Sequence, residues 1–95
     1  MPQSQTVCTE TFTVLNDRGL HTRPATELVR CATKYASTVS LTYKGLRVDG
    51  KSILGVLMLA AGKNAKVVVE AEGPDAHEAV AAILALSEEK FHIMY

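Results

Sequence analysis

Thr38-Val39-Ser40-Leu41-Thr42-Tyr43-Lys44-Gly45-Leu46-Arg47-Val48-Asp49 reads as two short strands joined by a tight turn. Val39, Leu41 and Tyr43 alternate with Thr38, Ser40 and Thr42, and beyond Lys44-Gly45 the residues Leu46 and Val48 alternate with Arg47 and Asp49. A period of two sends successive side chains to opposite faces of a sheet, and a short glycine-containing link joins antiparallel neighbours. One face of this hairpin is apolar and the other polar. Such a sheet is covered on one side and open to water on the other.

Upstream, Phe12 and Val14 alternate with Thr11 and Thr13, which predicts a strand over about residues 9–15 that ends in the turn Asn16-Asp17-Arg18-Gly19. Ala25, Leu28, Val29, Ala32 and Tyr35 or Ala36 then recur at helical spacing, with Glu27, Arg30 and Lys34 on the wet face, so a helix is expected to about Tyr35. Downstream, Ser52 is a good N-cap for a short helix from Ile53 through Ala60 that ends near Gly62. Ile53, Val56, Leu57 and Ala60 are expected to face the sheet, leaving Leu54 and Met58 toward solvent or a partner. Val67, Val69 and Ala71 alternate with Val68, Glu70 and Glu72 in a fourth strand. Asp75 and Glu78 are spaced as a capping pair for a last helix, whose inner stripe is Ala76, Ala79, Val80, Ile83, Leu84 and Ser87. After Lys90 the segment Phe91-His92-Ile93-Met94-Tyr95 is apolar, and its pattern leaves open whether it packs back.

The order is therefore βαββαβα, and the expected class is α+β: a four-stranded antiparallel sheet with three helices on one face. A ferredoxin-like small-molecule regulatory domain shares most of this order and is the alternative, ranked second because the middle helix is short for a ferredoxin-like crossover.

Ninety-five residues suit a single domain, 1–95, with one core and no room for a walled substrate cavity, so any chemistry is expected on the surface. Ten basic and ten acidic residues cancel, which argues against nucleic acid or an anionic membrane as partner. Cys8 and Cys31 form no Cys-x-x-Cys pair, and His21, His77 and His92 show no ligand spacing, so no metal site and no cofactor is expected. There is no signal-peptide pattern and no apolar run long enough for a bilayer, which points to a cytoplasmic protein.

The segment with chemical content is Gly19-Leu20-His21-Thr22-Arg23-Pro24-Ala25, where a turn delivers an imidazole to the start of an amphipathic helix. The first N–H groups of a helix lack intrahelical partners and carry the positive end of its dipole, so anions bind there. A neutral imidazole placed there presents a lone pair able to attack phosphorus. Arg23 adds a permanently charged planar fork that matches phosphate oxygens. Pro24 suits a first helical turn, yet a residue preceding proline avoids the α region, which would move the cap to Arg23. Either way His21 stands at the entrance.

Gly19-Leu20-His21-Thr22-Arg23-Pro24-Ala25 together with Lys51-Ser52-Ile53-Leu54-Gly55-Val56-Leu57-Met58-Leu59, in this element order, resemble the HPr phosphocarrier family of the bacterial phosphoenolpyruvate-dependent phosphotransferase system. The likeness spans roughly residues 6–90. It implies an HPr-like open-faced β-sandwich and a protein that is a substrate of enzymes rather than an enzyme. His21 would take a phosphoryl group on Nδ1 from enzyme I and give it to an EIIA-type protein. Arg23, Arg18 and the amides of Thr22 and Arg23 would steady that group. Ser52 matches the position modified by HPr kinase/phosphorylase, and Leu20, Thr26, Ile53, Leu54 and Leu57 match the docking surface of a monomeric carrier. Val69–Pro74 and the alanine-rich run 79–86 are similar to the nitrogen-related branch, NPr, so sugar uptake and a regulatory relay both stay open.

Overall fold

In the computed structural model, which describes residues 6–95, the chain runs β1 (Val7–Thr13), α1 (Thr22–Ala32), β2 (Thr38–Tyr43), β3 (Leu46–Asp49), α2 (Ile53–Met58), β4 (Lys66–Glu72) and α3 (Ala76–Glu88), then a 3-10 turn at Lys90–His92. The strands form one antiparallel sheet in the order β1-β4-β2-β3. The alternation read in the sequence decides its two faces. Phe12, Val39, Leu41, Val67, Val69 and Ala71 are buried on one side, while Thr11 and Thr38 are exposed on the other. Across that open face Arg47 reaches Glu70 at 3.3 Å, an exposed pair that adds little stability. α3 lies against β1 and β4, and α1 lies beside α2 and α3. The helices contribute Ala25, Leu28, Val29 and Ala32 from α1 and Ala76, Ala79, Val80 and Ile83 from α3 to the core.

The boundaries differ from the periodicity in instructive places. β1 spans Val7–Thr13 rather than 9–15, because its ladder follows β4, with Val7 opposite Glu72 and Thr13 opposite Lys66, and pairing does not depend on apolar side chains. α1 stops at Ala32 rather than Tyr35: Lys34 and Tyr35 donate to Cys31 and Ala32, a tighter three-residue pattern that closes the helix. α2 stops at Met58, and Ala60, not Gly62, adopts the left-handed backbone (φ 51°) behind it. Of the residues expected to face the sheet, only Val56 is fully buried. Ile53 and Ala60 are exposed and Leu57 is half-buried, because α2 rests on α1 and on β3, the edge strand of the sheet.

Asp75 does not cap its own helix through its side chain. Its carboxylate accepts from the Ser37 hydroxyl (2.6 Å), the Ser37 N–H (2.9 Å) and the Ala36 N–H (2.9 Å), tying the segment before β2 to the start of α3. The Ser37 hydroxyl, followed by those two N–H groups, holds the Asp75 pKa below its ordinary value of 3.8. Because the folded value lies beneath the unfolded one, this carboxylate's stabilisation is complete above 3.8 and lost as pH falls through the folded value. Asp75→Asn is therefore expected to melt below the wild type at about pH 7 and to lose less on acidification to about pH 3. Thermal melts at the two pH values check this; parallel acid losses in both proteins would contradict it.

Candidate functional site

The approach to α1 depends on Gly19. Its φ is +70°, and a Cβ there would strike the Ala61 carbonyl oxygen and stand 2.7 Å from Gly62 Cα. The Gly19 N–H closes the turn onto Asn16 O at 2.9 Å, and the Leu20 N–H bonds Ala61 O at 2.9 Å. This fastening turns the Leu20 side chain inward, where it is 4 % exposed. Leu20 is thus a core residue, a correction to its expected place on a docking surface.

His21 is the N-cap, with extended backbone at φ −78° and ψ −171°. Its carbonyl accepts from the Ala25 N–H at 2.9 Å, while its side chain makes no capping bond. Thr22 and Arg23 are therefore the first two helical residues, and their N–H groups lie at the open end. Pro24 is third, fully buried beside Ala25, and this packing overrides the backbone preference that would have put the cap at Arg23. No acidic residue occupies the first turn.

The imidazole is half-buried, and its Nε2 is enclosed without a hydrogen-bond partner, whereas Nδ1 is not enclosed in this way. Tyr95 stacks on the ring, with centroids 5.3 Å apart and planes 20° apart. Arg23 Nη1 donates to Tyr95 Oη at 2.8 Å, the Arg18 guanidinium sits 5.2 Å from the Tyr95 ring centroid, and the Arg18 N–H donates to Tyr95 O at 3.0 Å. Among the described residues neither arginine has an ion pair, because the nearby Asp17 is taken by Lys63 at 3.1 Å. Hydrogen bonding and charge from Lys63 keep the exposed Asp17 carboxyl below its ordinary range. Tyr95 thus links His21 to two guanidinium groups, stacking on the imidazole while Arg23 bonds its hydroxyl and Arg18 lies against its ring, and this positive charge near the site suits an anion.

The segment after α3 packs back and completes this arrangement. Phe91 is fully buried, meeting Phe12 edge to face at 6.0 Å, and Asn16 Nδ2 donates to the carbonyls of Lys90 (2.9 Å) and Ile93 (3.1 Å). Tyr95 and Asn16 were missed as site-building residues in the sequence. The one available signal was the apolar character of 91–95.

Ser52 is the N-cap of α2 and its Oγ accepts from the Gly55 N–H at 3.0 Å. Beside it Ile53, Leu54 and Met58 are 40 %, 71 % and 60 % exposed, and Thr26 and Leu57 are half-buried. Among the described residues no group of three His, Cys, Asp or Glu side chains is placed to hold a metal. Cys8 and Cys31 are free thiols, and burial pushes the Cys31 pKa up.

Residues 8–89 match the family model described as the PTS HPr component phosphorylation site. The chain belongs to the HPr family. It is 44 % identical over 79 residues to the phosphocarrier protein HPr of Cupriavidus necator, covering 83 % of this chain and 89 % of that one. The fold superposes on HPr-C-His from Thermoanaerobacter tengcongensis with a TM-score of 0.87 at 35 % identity, covering 90 % of this chain and 97 % of the other. An HPr dimer from the same organism gives a TM-score of 0.72 at 38 % identity, over 77 % and 84 % of the two chains. The HPr-like open-faced sandwich, rather than the ferredoxin-like alternative, is the fold, and this HPr is a phosphocarrier of the phosphotransferase system rather than an enzyme. No helix among the described residues is long and apolar enough to cross a membrane.

Proposed function

We propose that this chain, as one domain over residues 1–95, carries a phosphoryl group on His21 Nδ1, taking it from enzyme I with phosphoenolpyruvate as the source. It passes the group to EIIA-type proteins, for sugar uptake and/or regulation, as a cytoplasmic monomer. The observation that carries this reading is His21 at the open start of α1, with Nε2 enclosed and the ring stacked on Tyr95, which also meets the guanidinium groups of Arg18 and Arg23.

The Nδ1 lone pair attacks phosphorus; a nitrogen–phosphorus bond forms while the bond from phosphorus to the donor breaks and its electron pair returns to the donor. The onward step repeats this with the acceptor as nucleophile. Such transfers pass through a loose transition state, so positioning and charge stabilisation supply most of the catalysis. Arg23 contributes charge-assisted bonds to phosphoryl oxygens, Arg18 a second positive charge, and the Thr22 and Arg23 amides further donors. Exposure keeps this grip modest, as a carrier requires, because a tightly held group would be slow to leave. Partners dock on Thr26, Ile53, Leu54 and Leu57, whose apolar surface suits a protein contact.

Incubation with enzyme I, phosphoenolpyruvate and Mg²⁺ is expected to add one acid-labile phosphate. An acid-stable product, or none, contradicts the carrier reading.

Ser52 is proposed as a regulatory site for an HPr kinase/phosphorylase. A phosphate there would place about −1.5 to −2 charges at the favourable end of α2, next to the exposed apolar patch. With kinase and ATP an acid-stable phosphate is expected, absent from Ser52→Ala, which also loses the cap and about 1 kcal/mol of stability. Phosphate persisting in Ser52→Ala would move the site elsewhere.

A further inference from the structure

We propose that Tyr95 is a positioning residue of the His21 site: its ring fixes the imidazole, and its hydroxyl holds the Arg23 guanidinium until a phosphoryl oxygen replaces it. This rests on the carrier reading above.

The stacking geometry is the first argument. With planes 20° apart and centroids 5.3 Å apart, Tyr95 covers a face of the His21 ring. The nitrogen lone pairs lie in the ring plane, at its edge, so a face-on neighbour restricts rotation of the imidazole without standing in the line along which phosphorus approaches. A ring held this way loses less orientational freedom when the transition state forms.

The second argument is the bond from Arg23 Nη1 to Tyr95 Oη at 2.8 Å. Among the described residues Arg23 has no carboxylate partner, and a phenolic oxygen is a neutral acceptor. Hydrogen bonds to an anionic phosphoryl oxygen are about twice as strong as neutral ones, so the incoming group outcompetes the hydroxyl for the guanidinium. Tyr95 thereby keeps Arg23 near His21 in the unphosphorylated protein and yields it on transfer.

The third is that Tyr95 is anchored. Its main-chain oxygen accepts from the Arg18 N–H, Asn16 donates to the carbonyls of Lys90 and Ile93, and Phe91 is sunk in the core. Lys90, Phe91 and His92 all adopt positive φ (54°, 56° and 63°), an unfavourable backbone for side-chain-bearing residues that the buried Phe91 and these bonds sustain.

Two variants separate ring from hydroxyl in the full chain. Tyr95→Phe is expected to keep the ring-current shift of the His21 ring protons and to accept phosphate from enzyme I faster than Tyr95→Ala does. It should also raise the equilibrium ratio of phosphorylated to free protein about twofold to tenfold, because Arg23 no longer leaves a partner. Tyr95→Ala is expected to lose the ring-current shift and to accept phosphate about threefold to thirtyfold more slowly, in kcat rather than KM. Wild-type shifts and rate in Tyr95→Ala, or a Tyr95→Phe protein as slow as Tyr95→Ala, would overturn the ring's role. An unchanged equilibrium in Tyr95→Phe would overturn the hydroxyl's. A wild-type chain that takes no phosphate overturns the carrier reading and this inference with it, whereas a labelled wild type with indifferent variants overturns this inference alone.

Discussion

His21→Ala is expected to reduce phosphate uptake from a phosphoenolpyruvate-driven donor to background, a loss of about a thousandfold or more, because it removes the ring nitrogen that makes the bond to phosphorus. Arg18, Arg23 and the helix amides remain, yet they only stabilise charge on a group that needs a nucleophile to stay. The fold should survive. His21 serves the helix through its backbone carbonyl, which accepts from Ala25, and its side chain makes no cap bond, so the stability change should stay within about 1 kcal/mol. Labelling and thermal melting on the same preparation check both statements. An equally labelled, equally stable His21→Ala protein would remove His21 from the mechanism.

Phe91→Ala is expected to be the most damaging single change to stability outside the sheet. The side chain is fully buried against Phe12, and truncating such a phenylalanine costs about 3–5 kcal/mol. For a domain whose whole stability is about 5–15 kcal/mol, that is a large share. The left-handed backbone at φ 56° is not relieved by alanine, which still carries a Cβ. With the anchor lost, segment 91–95 should detach and take Tyr95 away from His21, so a folded Phe91→Ala protein should show the slow uptake expected of Tyr95→Ala. Urea unfolding measures the first effect and initial labelling rates the second. Near-wild-type stability would show that Phe91 does not hold the segment.

How far the sequence could be read follows from which contacts are local. The 38–49 hairpin was legible because alternation and a two-residue turn settle strand and register together, and Val39 and Leu41 are buried as read, although on the edge strand β3 Leu46 is exposed and Val48 half-buried. The start of α1 was legible within two residues, and what moved it from Arg23 to His21 was the burial of Pro24, a tertiary effect. α2 was read as a helix with Val56 inward and Leu54 and Met58 outward, as found, but Ile53 and Ala60 are exposed because it packs on α1 and β3 and no single segment records its neighbours. Leu20 was misplaced for the same reason: the bond to Ala61 that turns it inward spans about forty residues of chain. Asp75, read as half of a capping pair, is committed to Ala36 and Ser37 instead. Of the site, His21, Thr22, Arg23 and Arg18 lay in one short motif. Its aromatic cover did not, since Asn16 meets the backbone of Lys90 and Arg23 meets Tyr95 across separations of 74 and 72 residues.

The central claim is that one particular nitrogen carries the phosphate. Phosphorus–nitrogen coupling, read by NMR on the phosphorylated chain with labelled histidine rings, locates the bond directly. Coupling to Nδ1 of His21 is predicted; coupling to Nε2, to a ring of His77 or His92, or phosphate found on a hydroxyl would contradict it.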